Sequence, residues 1–193
     1  MIYKIYSSLP TFKTLDFHPG LNVLIAKKET GATTKQTRNR AGKSSLIEII
    51  HFLTGAKADK DSLFRLNALV NDTFGMNSDI GDDIVYVERS GKKADKIHFK
   101  NIKGIEKTLT NNQWTDKLGK EIFDLHELQD YSGRTPTFRS LFSYFVLRQS
   151  SSGFTTPEKQ AYMQQPYDYQ IALLYLLGLD WKIAADWQTV RDR

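Results

Sequence analysis

The stretch Leu21-Asn22-Val23-Leu24-Ile25-Ala26, followed after a polar interval by Ala41-Gly42-Lys43-Ser44-Ser45-Leu46, decides how this chain is read. Its first part is an almost continuous apolar run, the pattern of a strand buried on both faces. Residues 27–41 are polar and contain Thr, Lys and Gly. After them the period changes: Leu46, Ile49, Ile50 and Leu53 fall at i, i+3, i+4 and i+7, one face of a helix. Gly55 stands where a C-terminal cap belongs. Strand, polar loop, Gly-Lys-Ser and amphipathic helix together form the context a phosphate-binding loop requires. Backbone N–H groups at the loop and helix start face phosphate oxygens there, and the helix end adds partial positive charge. Lys43 can reach the β- and γ-phosphates, and the Ser44 hydroxyl can ligate Mg²⁺. Gly42 lets the backbone approach a pyrophosphate with no Cβ in the way.

The motif is incomplete. The pattern G-x-x-x-x-G-K-[ST] sets its first glycine at position 37, here Thr37, and the G-x-N-G-x-G-K-[ST] version sets an inner glycine at position 40, here Arg40. Asn39, Gly42, Lys43 and Ser44 fit, while Arg38, Arg40, Ala41 and Ser45 complete the expected nucleotide-binding loop. If the backbone at Arg40 needs a positive φ, a non-glycine residue there costs roughly 1 kcal/mol or more. Arginine offsets that cost by touching a phosphate, or else it marks weakened nucleotide affinity; both readings stay open. Lys27, Lys28, Lys35, Arg38, Arg40 and Lys43 crowd a segment whose only acid is Glu29. That is either a loop built for a polyanion, nucleotide or DNA, or a solvated insertion. Phe12 and Lys13 are the candidates for adenine recognition.

Composition bounds the rest. The chain has 193 residues, 40% hydrophobic, 12% aromatic and 25% charged, which excludes a disordered polypeptide. No run reaches the roughly 18 apolar residues of a membrane helix. With no cysteine, disulfides and thiolate metal sites are excluded, and His18, His51, His98 and His126 show no metal-ligand spacing. The N-terminus has no signal-peptide pattern, so the expectation is a cytoplasmic protein with no membrane partner. A net charge of +5 is compatible with a nucleic-acid partner.

Along the chain, residues 2–6 and 12–17 read as strands, with a turn at His18-Pro19-Gly20. Residues 61–109 read as antiparallel sheet, with strands at 83–89 and 96–100 and a weaker one at 73–80. Helices are expected at 111–125 (capped by Asn111 or Asn112), at 138–148 and at 167–178, with 179–193 continuing helical and showing no stop signal. The pattern is unfinished at Arg193, so the expectation is the front end of something longer.

Phe12-Lys13-Thr14-Leu15-Asp16-Phe17, then Gly20-Leu21-Asn22-Val23-Leu24-Ile25-Ala26, resemble the opening strands of SMC/RecN-like coiled-coil ABC ATPases, which lead into the phosphate loop. The insertion 27–37 and Thr37-Arg38-Asn39-Arg40-Ala41-Gly42-Lys43-Ser44-Ser45-Leu46 resemble an uncharacterised branch of that superfamily from bacterial ABC-type multi-component and anti-phage defence systems, departing from it at Arg40. The resemblance continues through Val87-Glu88-Arg89-Ser90, Ala94-Asp95-Lys96-Ile97, Phe138-Arg139-Ser140-Leu141, Arg148-Gln149 and Leu176-Leu177-Gly178-Leu179-Asp180-Trp181. It covers nearly the whole chain, but only the phosphate loop is a specific motif.

The resemblance implies an α/β fold: an ABC-type P-loop NTPase head lobe with a mixed, partly antiparallel sheet and a helical subdomain leading to a coiled coil. Residues 1–178 would be the head lobe, with the phosphate loop at about 37–45 and the Q-loop at about 149, and 179–193 the root of the outgoing coiled coil. Gln149 would be the Q-loop glutamine contacting Mg²⁺ and the attacking water, with Lys43 the other catalytic residue and Ser44 the second Mg²⁺ contact. ATP and Mg²⁺ would be the cofactors. The implied partners are the C-terminal half-head of the same protein, carrying the Walker B acids and signature motif, a second head closing around ATP, DNA, and accessory defence subunits. Catalysis in such heads is mostly positioning and electrostatics.

No convincing Walker B appears. Residues 171–180 are Leu-rich and helical in character, the acids of 122–127 are three apart, and Ser151-Ser152-Gly153 only faintly matches a signature motif. The expectation is therefore a chain that binds ATP and is an ATPase only when joined to its C-terminal half, in DNA repair or anti-phage defence. The alternative is a non-hydrolysing nucleotide-sensing interaction module. A P-loop kinase needs parallel βα repeats, which the antiparallel pattern of 73–109 opposes.

Overall fold

The computed structural model describes residues 1–25, 42–128, 131, 133–148, 154–156, 158–161 and 164–191. Over these the chain is mixed α/β, with one six-stranded sheet and five α-helices. It divides into two compact units, one of Met1–Leu53 and Lys57–Thr108, the other of Thr54–Ala56 and Leu109–Arg193. No helix among the described residues is long and apolar enough to cross a membrane.

The first unit is built on the sheet. The strands of the sheet are β1 (Ile2–Ser7), β2 (Leu15–Asp16), β3 (Thr73–Ile80), β4 (Asp83–Ser90), β5 (Lys96–Asn101) and β6 (Glu106–Thr110), in the order β2-β1-β3-β4-β5-β6. The pairs β1–β2, β1–β3, β3–β4 and β4–β5 are antiparallel. Gly81, at φ 59°, lies in the two-residue turn that joins β3 to β4, where a tight hairpin needs the left-handed region. Val85, Val87 and Arg89 of β4 are buried while Ile84 and Tyr86 are exposed, the period-two signature of a sheet with one packed face.

Helix α1 (Lys43–Leu53) packs on β3 and β4 through Ile49, Phe52 and Leu53. Phe52 stacks on Phe64 with centroids 4.0 Å apart, and both rings meet Phe74 edge-on. Arg89, only 2% exposed, lies with its guanidinium 4.3 Å from the Phe52 ring centroid. Its Nε donates to the Ala94 carbonyl at 2.8 Å, and its Nη atoms donate to the carbonyls of Phe52 and Ala94. Burial pushes this guanidinium down to about 10, opposed by the Asp95 carboxylate, so it stays charged at neutral pH. Gly91 is required for a different reason: a Cβ there would lie 1.6 Å from the Phe64 carbonyl oxygen.

The second unit is helical. Helix α2 (Asn111–Phe123) buries Trp114 and Leu118. Helix α3 (Phe138–Phe142) starts with a Thr137–Ser140 capping box. Helices α4 (Pro166–Leu176) and α5 (Lys182–Arg191) enclose Ile171, Trp181 and Ala185, with Tyr131 edge-on to Trp181 at 5.0 Å. Tyr175 donates to the Phe123 carbonyl at 2.6 Å, Asn111 to Gly55 at 3.0 Å, and Arg139 to the Thr54 hydroxyl at 3.1 Å.

Several expectations are corrected. Residues 21–25 form no strand: Leu21 is 84% exposed and Ile25 is 70% exposed, so the double-sided burial read from their apolarity is not met. A strand of that type needs a neighbour on each side, and the sheet margin here is the short strand β2. The strand expected at 12–17 is reduced to Leu15–Asp16, because Phe12 closes a turn onto the Leu9 carbonyl at 2.9 Å. The sheet expected from residue 61 begins at Thr73; a 3-10 turn at Leu63–Arg65 precedes it. The sheet expected to be mixed has, among the described residues, only antiparallel assigned pairings, and α1 packs on β3 and β4. The cap of α2 is Thr110, paired reciprocally with Gln113, and the helix ends at Phe123 with Asp124 left-handed at φ 55°. The helix expected over 138–148 stops at Phe142. Residues 179–191 do not continue α4: Gly178 at φ 69° breaks the helix, and the Asp180 carboxylate accepts from the Lys182 amide at 3.1 Å to start α5.

Replacing Arg89 by Met keeps most of the buried volume but strands two carbonyls. Urea unfolding should show a loss of about 2–4 kcal/mol. Gly91→Ala should be at least as damaging.

Candidate functional site

The Gly-Lys-Ser stretch lies at the start of α1. Lys43 is the first helical residue, and the Leu46 amide donates to the Gly42 carbonyl at 3.1 Å, the first rung of the helix. The amides of Lys43, Ser44 and Ser45 therefore have no acceptor within the helix. No acid occupies the first turn of α1, so no carboxylate there competes with an anion for the positive helix end. Gly42 is exposed and left-handed, at φ 74°, and a Cβ built on it meets nothing within 4 Å. Glycine is thus required by conformation, and no described atom crowds the space over the backbone. Ser44 is exposed and Ser45 half-buried. The C-terminal end of α1 is held by the aromatic and Arg89 contacts, while its N-terminal end is left accessible.

Of the residues assigned from sequence, the structure brings Gly42, Lys43, Ser44 and Ser45 together at one helix start. Arg38, Asn39, Arg40, Ala41 and Gln149 lie outside the described residues. Phe12 is half-buried, its ring edge-on to Phe74 at 6.2 Å, and Lys13 is exposed. The weak Walker B candidates serve structure: Ile171 is buried in α4, Asp180 caps α5, and Asp124 pairs with His126 at 2.7 Å. Among the described residues no three His, Asp or Glu side chains group to hold a metal ion.

Sequence reading missed Asn22. Its side-chain oxygen accepts from the His18 amide at 3.1 Å, and its amide nitrogen donates to the carbonyls of His18 and Gly20 at 2.7 and 3.1 Å. These bonds fasten the turn from which residues 21–25 depart. An Asn two positions past Pro-Gly is the signal for such a side-chain-closed turn. A separate cleft of about 340 Å³ in the second unit is lined by Thr115, Gly119, Leu125, Pro136 and Arg139 among others, and by none of the described loop residues.

A scan against protein-family models, a search of curated proteins and a search of solved structures each find no match.

Because the demand at Gly42 is conformational, Gly42→Ala should lower stability by about 1 kcal/mol or displace the helix start. Gly42→Asn, which tolerates the left-handed region, should recover most of that loss in thermal unfolding.

Proposed function

We propose that this chain is the ATP-binding N-terminal half of an SMC-like ABC ATPase head, which closes on a second head around nucleotide in DNA repair or anti-phage defence. The observation that carries this reading is the coincidence of Gly-Lys-Ser with the accessible start of a firmly seated helix, its glycine left-handed beneath open space. The chemistry of the site suits a polyphosphate. Main-chain amides from Lys43 to Ser45 would take phosphate oxygens, Lys43 would neutralise the β/γ charge, and Ser44 would contribute its hydroxyl to Mg²⁺. Arg38–Ala41 and Gln149 take their roles from the resemblance alone. When bound, Mg²⁺ supplies charge neutralisation on the phosphates; this chain's part is to bind and orient them.

The corrected state of residues 21–25 fits the same proposal. Leu21, Val23, Leu24 and Ile25 face solvent. In a complete head, strands of the C-terminal half would lie beside them and supply the missing neighbours. That half would also bring the carboxylate that polarises the attacking water.

Titrating a fluorescent ATP analogue with Mg²⁺ tests the site. Lys43→Ala should bind at least about tenfold more weakly, roughly 1.4 kcal/mol. Equal affinity in the two proteins refutes the nucleotide site. Steady ATP turnover by this chain alone, abolished by Lys43→Ala, refutes the half-head.

A further inference from the structure

The cleft of about 340 Å³ in the second unit is bordered by α2, the 3-10 turn Leu125–Leu128 and the chain entering α3. Its volume suits a ligand of small-molecule size. The floor is apolar. Pro136 and Phe138 are buried there, and Leu125 and Leu128 stand half-buried beside them. Gly119 keeps this floor closed. A Cβ on it would lie 2.9 Å from Leu125 Cδ1 and 3.5 Å from Phe138 Cβ, so both residues pack on bare helix backbone.

What the cleft recognises is set by which of its polar groups are already used. Both charges are committed. Asp116 pairs with Lys120 at 3.0 Å one turn along α2, and Arg139 donates to the Thr54 hydroxyl at 3.1 Å. Two hydroxyls are committed as well. Thr115 donates to the carbonyls of Asn111 and Asn112, and Thr137 accepts from the Ser140 amide in the cap of α3. Asn112 and Thr135 differ. Among the described residues the exposed Asn112 carboxamide makes no hydrogen bond, and neither the hydroxyl nor the main chain of half-buried Thr135 makes one. Thr135 precedes a proline, which favours extended backbone, and an extended residue carries its N–H and C=O on one edge. An unused donor and acceptor side by side, over an apolar floor with a free carboxamide at its rim, are matched by an amide. We propose that this cleft binds an uncharged apolar amide, whose apolar group covers Pro136 and Phe138 while its amide exchanges hydrogen bonds with Thr135 and Asn112. A charged ligand would have to compete with Lys120 for Asp116 or with Thr54 for Arg139. The proposal concerns the second unit alone and does not rest on the nucleotide reading.

Three related probes that differ in charge test it: N-acetyl-leucinamide, which is neutral, leucinamide, a cation, and N-acetyl-leucine, an anion. Each is titrated into the isotope-labelled 193-residue chain and followed by backbone amide chemical shifts. The neutral probe should shift the amides of Thr115, Gly119, Leu128 and Thr135 saturably, and bind at least about tenfold more tightly than either charged probe. Equal affinity for all three means unspecific apolar contact and overturns the ligand class. Tighter binding of a charged probe gives the site to Asp116 or Arg139 and overturns it too. No shift at these amides refutes the site. Asn112→Leu, on the exposed surface of α2, should weaken the neutral probe about tenfold with thermal unfolding unchanged. Thr135→Trp should fill the cleft and abolish binding. Unchanged binding in Asn112→Leu overturns the proposal, whether or not Thr135→Trp folds.

Discussion

A buried guanidinium under the end of a helix organises the first unit. Arg89 is carried on β4 at a position its neighbours Val85 and Val87 mark as inward-facing. A cation there is tolerable only if its donors are met. They are met by the carbonyls of Phe52, in the last turn of α1, and of Ala94, in the β4–β5 turn, with the Phe52 ring against its face. A positive charge also suits the C-terminal end of a helix, where carbonyl dipoles converge. One side chain therefore ties strand, helix and turn together. Phe64 and Phe74 close over the same helix end. The placing of the first amides of α1 depends on this seating, because a helix that could slide or tilt would not present them in a fixed place.

How much of this was readable from the residues varies with the kind of signal. β5 was visible because Ile97 and Phe99 alternate with polar residues, β4 because β-branched and aromatic residues run from Ile84 to Val87, and α1 because its apolar residues repeat at helical spacing. The readings that failed relied on apolarity without asking what would cover it. Residues 21–25 looked like an interior strand, yet burial is a property of neighbours, and the described sheet supplies none there. Residues 138–148 looked like one long helix. Ser143 instead turns its hydroxyl onto the carbonyls of Arg139 and Ser140, a local bond that competes with the helical ladder. The α2 cap was in plain view: Thr110 followed three residues later by Gln113 is the capping-box spelling. In the site, Gly42 was picked out for its missing Cβ, whereas its main requirement is a left-handed backbone.

The two exposed apolar surfaces differ in character. The one at 21–25 is backbone-irregular and leaves a turn stapled by Asn22, so it resembles an element lacking companions. The one on α5, of Ile183, Trp187 and Val190, is regular and opposes a packed face. Reading them by the same rule would miss this difference.

The interruption at Gly178 has a consequence for how the second unit tolerates change. In an unbroken helix, adding or removing one residue would rotate everything downstream by about 100°. Here a left-handed glycine and the Asp180 cap separate α4 from α5, so the angular phase of α5 is fixed locally, by Trp181 and Ala185 seating in the core. Length changes between Leu177 and Asp180 can be taken up in the connection, while the outward rows of α5 keep their heading.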